Sequence, residues 1–539
     1  MMQVRLQEEW IQVEAGTTID ACLRKRGREM DFFAAVCDGE LLDLRTPLQE
    51  GQKVTLIPAG SDIARLMQEK TLCFVIIVAL RQLYPQLQVR IEHSLDNGIY
   101  CEFDHGTLDA PALEHLLMHM RKMIKERKEI HRRYLPKEAA AVHFEQLGMP
   151  AKAQNIRHRR SKHCAVDTLE GIDDYFYGHL CVHTGYLPEV YAVQMKNGCW
   201  FGFHPDPRPQ DKLFAVCDAY ERWGKKLSIT NVPQLNLKAE TEGIDELILM
   251  SEAKIERELV ELSDQIVSQH PFRRFVLISG PSSAGKTTFS HRLKTHLRVL
   301  GHQPHTIAMD DFFFNRSEYP LLEDGTPDFE SLDAVDLELL QETIRGLLAG
   351  KEMPLPHYNF HTGCREWRGD TLRIDPHDLL IMEGIHGLNP KVIEGFARDE
   401  VFRVYVNALT HLNLDPHTRI PTRDYRLIRR MVRDHQFRGY SAQQTLKGWK
   451  HVREGEDRYI YPYQEEADFI FNTSMVYEML ILKRIAKGLL EEIKGEDEIH
   501  AEAKRLLSLL QYFDEADSTH IPSHSILAEF VGNSVFFDK

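Results

Sequence analysis

The sequence predicts a multidomain chain that combines α+β domains in its first half with an α/β domain, built on a parallel sheet, in its second half. Its 539 residues are enough for about three domains. A glycine-rich segment, residues 280–288, lies between an apolar run at 274–279 and a segment of helical spacing at 288–297. From 272 to about 490, short apolar runs alternate with helical patterns, which is typical of a parallel sheet covered on both faces.

Composition and charge narrow the class of protein. A hydrophobic content of 43% and a charged content of 27% are typical of a soluble globular chain. The net charge of −15 argues against a protein that coats nucleic acid, although it allows a local basic site. Nine scattered cysteines without a C-x-x-C pair indicate reduced thiols. With no signal-peptide pattern, and a longest apolar run (72–80) too short to cross a bilayer, we expect a cytoplasmic homo-oligomer with no membrane partner.

Residues 1–60 read as a small α+β unit. Alternating Val4 and Leu6 indicate a strand, and Ile19, Cys22 and Leu23 share one face of a short helix. The pattern "ACL…AAVCDGELLDLRTPLQEGQKVTLI" resembles the TGS domain of threonyl-tRNA synthetases. That resemblance implies a ubiquitin-like fold without catalytic chemistry.

Residues 61–235 continue the likeness to synthetases. The segments at 79–85 and 92–103 resemble the editing domain of threonyl- and alanyl-tRNA synthetases, an α+β domain. In that family an H-x-x-x-H pair, together with a Cys followed four residues later by His, forms a hydrolytic metal site. Those positions fall here on Lys70, Phe74, Cys181 and Gly185. The resemblance therefore implies a degenerate site, and we predict no aminoacyl-tRNA hydrolysis.

Two histidine sets in this region leave a metal site open. His115 and His119 have i, i+4 spacing on a predicted helix, whereas His179, Cys181 and His183 alternate and would share one face of a strand. The alternative is that these are ordinary surface or half-buried histidines. The basic run 157–163 also has two interpretations, an RNA contact or a solvated loop.

Two segments are predicted to connect or cover domains. Residues 236–271 contain a helical apolar stripe, formed by Leu247, Met250, Ile255, Leu259, Leu262 and Ile266. Residues 491–539 contain an amphipathic helix at 491–512 and a tail. Its apolar stretch at 526–531 is expected to dock on a domain or on a partner.

The segment 280–288 fits G-x-x-x-x-G-K-[ST], the phosphate-binding loop, and its place between a strand and a helix fits as well. Backbone N–H groups close around phosphate oxygens and the helix N-terminus adds positive charge, while Lys286 can reach the outer phosphates and the Thr287 hydroxyl can ligate Mg²⁺. The predicted nucleotide-binding residues are Gly280, Ser282, Ser283, Ala284, Gly285, Lys286, Thr287 and Thr288.

Carboxylates follow two further predicted strands. The strand 306–309 runs into Asp310 and Asp311, of which one should point to the site, where it could accept a hydroxyl proton or help to hold Mg²⁺. The strand 379–382 runs into Glu383, at the position of a Walker-B carboxylate and hence a second Mg²⁺ residue. A purely structural role is the alternative for each.

Four arginines and one loop complete the candidate site. Arg426, Arg429, Arg430 and Arg433 are spaced to share a helix face, without interleaved acidic partners, and predict a cationic lid over the triphosphate. The segment 354–365 is aromatic, polar and rich in turn formers, which suits an acceptor-binding loop. A solvated basic helix and a packing role are the respective alternatives.

These segments, in this order, resemble the uridine kinase and phosphoribulokinase family over about 200 residues. The matching stretches are "GPSSAGKTT", "MDDFFF", "DFESLDAVD", "PHYNFHTGCR", "IMEGIHGL" and "RLIRRMVRD". The resemblance implies an ATP- and Mg²⁺-dependent kinase, with Asp310 as catalytic base and Lys286 on the phosphates. It implies Thr287 and Glu383 as metal residues, and Arg430 and Arg433 as lid arginines. Substrate-binding positions then fall on Glu330, Tyr358, Arg365 and Arg430.

The acceptor-reading residues depart from the family pattern. Glu330 replaces the aspartate that binds ribose hydroxyls, the family's base-reading histidine falls on Gly363, and a downstream arginine falls on Tyr440. Loss of a hydrogen-bonding partner can change substrate choice by orders of magnitude. The resemblance thus implies transfer to a primary hydroxyl of a small molecule, a nucleoside or a relative of one. The rival hypothesis is a nucleotide-dependent RNA-binding or regulatory protein that uses the synthetase-like half.

Overall fold

The computed structural model describes residues 1–270, 272–322, 325–495 and 497–537. The N-terminal region holds a five-stranded sheet in the order β2-β1-β5-β3-β4. Strand β1 pairs antiparallel with β2 and parallel with β5. The elements are β1 (Met2–Leu6), β2 (Glu9–Val13), α1 (Ile19–Lys25), β3 (Phe32–Cys37), β4 (Glu40–Leu42) and β5 (Lys53–Pro58).

The middle region consists of two antiparallel sheets and several helices. Its elements are α2 (Asp62–Leu83), β6 (Gln88–Leu95), β7 (Gly98–Asp104), α3 (Ala110–Lys125), β8 (Ile130–Pro136), α4 (Lys137–Gln146), α5 (Pro150–His158), β9 (His163–Leu169), β10 (Ile172–Asp174), β11 (Tyr191–Met195), β12 (Gly198–Gly202), α6 (Asp211–Leu227) and α7 (Val232–Glu242). The sheet orders are β11-β12-β7-β6 and β10-β9-β8.

Helix α2 explains the most apolar run of the sequence. Residues 72–80 lie within it and are all buried in the core that α2 shares with β6, β7 and α3. Among the described residues, none of the helices is both long enough and apolar enough to cross a membrane.

Helix α8 (Ile244–Val267) carries the predicted apolar stripe and joins the two halves of the chain. Leu247, Ile255, Leu259, Leu262 and Ile266 are buried, and Met250 is half-buried. The helix packs on α7 and on the helix that follows the phosphate-binding loop. The predicted apolar stripe therefore lies on one continuous helix, whereas residues 236–242 of the predicted connector belong to α7.

The C-terminal region is built on a five-stranded sheet, and the predicted parallel arrangement is confirmed. The order is β14-β19-β13-β20-β23, with every neighbouring pair parallel. The strands are β13 (Phe275–Ser279), β14 (Pro304–Ala308), β19 (Leu379–Glu383), β20 (Val401–Asn407) and β23 (Phe469–Asn472). Val276 and Ile278 face one core, and Phe275 and Leu277 face another, so both faces of the sheet are covered.

Helices and short hairpins surround this sheet. They are α9 (Lys286–Val299), α10 (Leu337–Leu348), β15 (Met353–Pro354), β16 (His357–Asn359), β17 (Cys364–Glu366), β18 (Thr371–Leu372), β21 (Asn413–Asp415), β22 (Thr418–Arg419), α11 (Thr422–Phe437), α12 (Ala442–Tyr459), α13 (Glu478–Glu491), α14 (Glu498–Leu510) and α15 (Ala528–Val531). The predicted acceptor loop forms the antiparallel pair β16–β17.

The C-terminal segment differs from the sequence prediction in one respect. Residues 491–512 do not form one helix, because α13 ends at Glu491 and α14 begins at Glu498, where the Asp497 side chain caps its first turn. The apolar stretch at 526–531 docks on the C-terminal region, as one of the two expected outcomes. Ile526 and Phe530 are buried there, and the Arg429 guanidinium lies 5.0 Å from the centre of the Phe530 ring.

A buried ion-pair network joins the middle and C-terminal regions. Lys152 Nζ lies 2.5 Å from Asp174 Oδ1 and 3.1 Å from Asp415 Oδ1, and all three side chains are buried. His417 Nδ1 lies 2.7 Å from the second oxygen of Asp174. Because two carboxylates share one ammonium group out of water, removal of that group would leave buried charge without compensation.

We expect Lys152→Met to lower the free energy of unfolding by about 3–5 kcal/mol for this reason. Chemical denaturation measured beside the exposed-site control Lys226→Met would check it. A loss no larger than that of the control would show that the network contributes nothing to stability.

Candidate active site

The phosphate-binding loop is fixed by a close contact between neighbouring strands. A Cβ atom on Gly280 would lie 1.9 Å from the carbonyl oxygen of Val406 at the end of β20, so a larger residue cannot fit. Gly285 has φ +81 and caps the start of α9 in a left-handed conformation that favours glycine. Between them Ser283 also has positive φ, and its buried Oγ has no partner among the described residues. The loop therefore presents backbone and hydroxyl donors in a strained, enclosed turn.

Lys286 and Thr287 open helix α9, facing the ends of two neighbouring strands. Lys286 Nζ donates to the carbonyl oxygens of Gly280 at 2.9 Å and Pro281 at 3.1 Å. Thr287 Oγ1 donates to Glu383 Oε1 at 3.1 Å. Because β13, β14 and β19 are parallel and Glu383 pairs in register with Ile278 and Ala308, their carboxyl ends meet at one edge of the sheet. The predicted convergence of these residue types is therefore present.

Burial shifts the pKa of each charged group at this edge. It raises the pKa of Glu383 to about 7, an effect that Lys286 opposes and the nearby Asp310 reinforces. Burial likewise raises the pKa of Asp310, and Lys286 acts against it. Burial lowers the pKa of Lys286, whereas the two carboxylates favour its charged form. One cation thus faces two carboxylates in a poorly solvated pocket.

Asp310 and Asp311 have separate surroundings, as expected, although not for the expected reason. Strand β14 ends at Ala308, and both aspartates lie in a single-turn 3-10 helix, Met309–Phe312, rather than on a strand. Asp311 Oδ1 accepts the backbone N–H of Tyr358 at 3.1 Å and lies 3.4 Å from His357, so it fastens the β16–β17 hairpin. The Asp310 carboxylate has no hydrogen-bond donor among the described residues, which leaves it free to accept a proton.

The four arginines of α11 do not form one cationic face, which corrects the sequence prediction. Arg426 and Arg429 are buried and bound by acids from elsewhere in the chain: Arg426 Nη1 lies 2.5 Å from Glu456, and Arg429 Nε lies 3.0 Å from Glu478. Acidic partners were missed because they lie 30 and 49 residues further along the chain. These two arginines hold α11 to α12 and α13.

The other two arginines remain near the loop. Arg430 Nη1 donates to Ser282 Oγ at 2.8 Å and its Nε lies 3.3 Å from Asp434. Arg433 donates to Asp434 at 3.0 Å and contributes positive charge near both Asp310 and Lys286. The predicted lid thus reduces to two cations that share one carboxylate.

Two acidic residues at the loop were missed by sequence reasoning. Glu456 Oε1 on α12 accepts the backbone N–H of Ser282 at 3.1 Å. Glu529 Oε2, in the C-terminal segment, accepts the Thr288 hydroxyl at 2.8 Å and lies 3.3 Å from its backbone nitrogen. Thr473 Oγ1 donates to the Ala284 carbonyl oxygen at 2.6 Å. Only the apolar pattern at 526–531 pointed to one of these contacts.

Burial raises the pKa of Glu330 to about 7, while the nearby Arg430 opposes that shift. Tyr358 is buried, and its hydroxyl accepts that of Tyr319 at 3.0 Å. Arg365 is bound to Asp336 at 2.9 Å, so its guanidinium is already engaged.

Gly363 and Tyr440 are the other two positions that depart from the family pattern. Gly363 has φ +71, and a Cβ there would lie 2.8 Å from Arg316 Nε. Tyr440 is 50% exposed. Neither position therefore supplies the histidine or the arginine side chain that the family has there.

The histidine sets in the middle region are not clustered. His115 bonds Tyr84 and His119 bonds Gln82. His179, Cys181 and His183 do not lie on a strand, which corrects that expectation: His179 is bound to Arg132, and His183 accepts the N–H of Gly185. Among the described residues, the one set of three close metal-type ligands is Glu92, Glu102 and Glu221, which Arg90 and Lys225 already bind.

The basic run at 157–163 is partly engaged within the protein. Arg157 forms ion pairs with Glu138 and Glu145. The Arg159 guanidinium donates to the Tyr175 hydroxyl at 2.6 Å and lies 5.5 Å from the centre of the Tyr512 ring. An RNA contact at this run stays a prediction.

A parallel sheet, a G-x-x-x-x-G-K-T loop and carboxylates at adjacent strand ends define a phosphate-binding-loop protein of the α/β class. Residues 275–479 match the "Phosphoribulokinase / Uridine kinase family". The C-terminal region therefore has a domain of that family, and the comparisons support a P-loop kinase.

Relatives agree with this assignment over the same part of the chain. A uridine kinase from Halobacterium salinarum is 25% identical over 46% of this chain and 96% of its own length. One from Staphylococcus haemolyticus is 27% identical over 36% of this chain and 84% of its own length. The structure of a possible uridine kinase from Bacillus stearothermophilus is 24% identical in sequence to this chain. The match covers 40% of this chain and 98% of the other, with a TM-score of 0.29.

The raised pKa of Glu383 predicts a pH-dependent stability difference in the nucleotide-free protein. The folded state holds this proton up to about pH 7, whereas the unfolded carboxyl, with an ordinary pKa of 4.5, releases it at lower pH. Stability contributed by the bound proton is therefore lost as pH rises from 4.5 to 7. We expect the unfolding free energy of the wild type to fall relative to Glu383→Gln between pH 5 and pH 8.

Urea denaturation at the two pH values measures this difference. The exposed-site control Glu338→Gln should track the wild type at both. A wild-type to Glu383→Gln difference that is independent of pH would contradict the raised pKa.

Proposed function

We propose that this chain transfers the γ-phosphate of ATP to a primary hydroxyl of a nucleoside or a related small molecule. The observation that carries this proposal is the meeting of Lys286, Asp310 and Glu383 at one edge of the parallel sheet, beside the glycine loop. A nucleotide sensor would need the loop, but it has no use for the half-buried carboxylate of Asp310, which no described residue binds through a hydrogen bond.

The proposed roles follow from the surroundings of each residue. Lys286 exchanges its two carbonyl contacts for phosphate oxygens, since an ammonium group gains more from an anion than from a neutral carbonyl. Asp310 accepts the proton of the attacking hydroxyl, because its oxygens have no other donor among the described residues. Arg430 and Arg433 offset the charge that develops on the transferred group.

The residues present fit Mg²⁺, a hard cation that prefers oxygen ligands. The Thr287 hydroxyl and the Glu383 carboxylate are 3.1 Å apart, and the buried Ser283 hydroxyl of the same loop has no partner among the described residues. When bound, Mg²⁺ would neutralise phosphate charge. Thr287 and Glu383 are the residues proposed to hold it, with Glu383 acting in its ionised form.

The acceptor is proposed to bind between Glu330 and the β16–β17 hairpin. Gly455 on α12 lets Glu330 approach closely, because a Cβ on Gly455 would lie 2.3 Å from that of Glu330. The carboxylate of Glu330 can accept hydroxyl groups of a sugar, and Tyr358 can pack against the rest. Since Arg365 is paired and Gly363 and Tyr440 lack the family's polar groups, a uridine- or cytidine-like base is one member of a wider acceptor class.

The first half of the chain is proposed to consist of a TGS-like domain (1–60) and an editing-like domain (61–235). The rest is proposed to consist of the connector (236–271), the kinase domain (272–490) and a C-terminal helix and tail (491–539). The mixed five-stranded sheet with helix α1 supports the ubiquitin-like assignment. At the degenerate editing positions, burial lowers the pKa of Lys70 to about 7, and its ammonium group lies 4.8 Å from the centre of the Tyr177 ring. Homo-oligomerisation stays a prediction.

Replacing Lys286 with Ala should abolish phosphate transfer, and Asp310→Asn should lower kcat by about a hundredfold or more with little change in KM for ATP. The measurement is a screen of nucleosides and sugar phosphates with labelled ATP. Asp333→Asn, an exposed aspartate in the same domain, is the matched control. Turnover retained by Lys286→Ala would exclude the proposed mechanism, and ATP hydrolysis stimulated only by RNA would favour the rival hypothesis.

Glu330→Gln should raise KM for the acceptor about tenfold or more and leave KM for ATP unchanged, because it removes an anionic acceptor for sugar hydroxyls. Since the pKa of Glu330 is about 7, wild-type acceptor KM should rise below pH 7 and that of the variant should not. Steady-state kinetics from pH 6 to 8, with Glu338→Gln as control, test this. An unchanged acceptor KM would remove Glu330 from the acceptor site.

A further inference from the structure

A cavity of about 200 Å³ lies between the middle region and the C-terminal region, behind the phosphate-binding loop. It is unusual in its lining, because six arginines from five segments of the chain reach it. They are Arg65, Arg208, Arg419, Arg423, Arg426 and Arg453. Lys286, Asp310, Glu383 and Tyr358 are not among its lining residues, so the cavity is separate from the proposed transfer site.

The arginines outnumber the acids around this cavity. Its acidic lining residues are Glu69, Asp96, Glu456 and Asp457. Asp96 pairs with Arg208 at 2.9 Å and Glu456 pairs with Arg426 at 2.5 Å. Arg65 forms two longer contacts, at 3.7 Å to Asp457 and at 3.8 Å to Glu69. Asp62, beside the lining, pairs with Arg453, so five carboxylates face six guanidinium groups and one positive charge is left without a counter-charge.

The excess resides mainly on Arg419 and Arg423. Neither has an ion pair or a side-chain hydrogen bond to any described residue. Burial lowers the pKa of Arg423, and the neighbouring Arg453 and Arg65 lower it further, while Glu69 and Asp424 oppose the shift. A buried guanidinium without an acceptor is costly unless an anion meets it.

Individual N–H groups identify where such an anion would bind. Arg423 Nη2, Arg426 Nε and Arg453 Nε are buried and lack an acceptor among the described residues. Arg426 is 1% exposed and Arg453 is 8% exposed. Helix α11 also starts at this cavity, after Pro421, and no side chain caps its first turn. Guanidinium donors and a helix N-terminus thus converge on one half-open pocket.

We propose that this cavity is a binding site for the phosphate group of a small phosphorylated metabolite. A phosphate monoester carries close to two negative charges at neutral pH, and its oxygens can meet Arg419 and Arg423, the two lining arginines without an ion pair to a described residue. Its oxygens suit the planar fork of guanidinium donors better than a carboxylate with two acceptor atoms would. The small volume of the pocket, about 200 Å³, favours a small molecule over a nucleic-acid strand.

The site would adjoin the phosphate-binding loop without sharing its ligand. Arg426 donates to the Ser282 carbonyl oxygen at 3.1 Å, and its partner Glu456 accepts the Ser282 N–H at 3.1 Å. The wall of the cavity is therefore also the back of the loop.

Calorimetric titration of the full-length protein tests the proposal, with the phosphate-binding loop first saturated with Mg²⁺ and a non-hydrolysable ATP analogue. The probes are inorganic phosphate, ribose 5-phosphate, uridine 5′-monophosphate and a 12-nucleotide RNA. We expect at least one of the two phosphate esters to bind one to one. Its Kd should rise about tenfold or more in Arg423→Gln and in Arg419→Gln, since each removes a charge-assisted contact.

Two controls separate this cavity from other sites. The exposed-site variant Arg222→Gln and the acceptor-site variant Glu330→Gln should leave that Kd unchanged. Binding that is lost in Glu330→Gln but intact in Arg423→Gln would place the ester in the acceptor pocket and overturn the proposal. Absence of ester binding, binding of inorganic phosphate alone, or an effect of Arg423→Gln on RNA only would overturn it as well.

Thermal unfolding gives a second readout that a purely structural arginine would not reproduce. Without ligand, Arg423→Gln should melt at or above the wild-type temperature, because it removes an unpaired, half-buried charge. With the bound ester, only the wild type should gain stability. A lower melting temperature for ligand-free Arg423→Gln would show that the guanidinium serves the fold instead.

Discussion

The electrostatic balance around Lys286 is the constraint on which the rest of the C-terminal region depends. One ammonium group faces Asp310 and Glu383 where parallel strands end, and all three groups are largely removed from water. Two carboxylates thus face one ammonium group, and burial, which the nearby Asp310 reinforces, raises the pKa of Glu383 to about 7. A divalent cation, bound with its phosphates, would relieve this imbalance. The same charged groups would lower the stability of the ligand-free protein and would favour binding of a cation.

Segments far apart in the sequence hold the loop in place. Val406 limits the space beside Gly280, α12 supplies Glu456 to the Ser282 N–H, and the C-terminal segment supplies Glu529 to Thr288. Helix α11 is in turn fixed by buried ion pairs through Arg426 and Arg429. The C-terminal segment and helix α11 are thus both tied, directly or through their ion-pair partners, to residues 280–288.

Short local patterns were sufficient to predict the loop and the carboxylates at the ends of β14 and β19, and longer periodic patterns predicted helix α8 and the parallel sheet. They could not predict the partners of Arg426 and Arg429, since ion pairs across 30 and 49 residues leave no mark on helical spacing. The 3-10 turn at Asp310 and the contact of Glu529 with Thr288 depend on tertiary packing in the same way. The arginine-lined cavity arises only where separate regions meet.

A crystal structure with Mg²⁺, a non-hydrolysable ATP analogue and an acceptor nucleoside would test the proposed transfer chemistry. We expect the terminal phosphate to bind Lys286 and the loop amides, with the Asp310 carboxylate about 3 Å from the acceptor hydroxyl. A nucleotide bound away from residues 280–288, or an Asp310 carboxylate that faces away from the terminal phosphate, would contradict this mechanism.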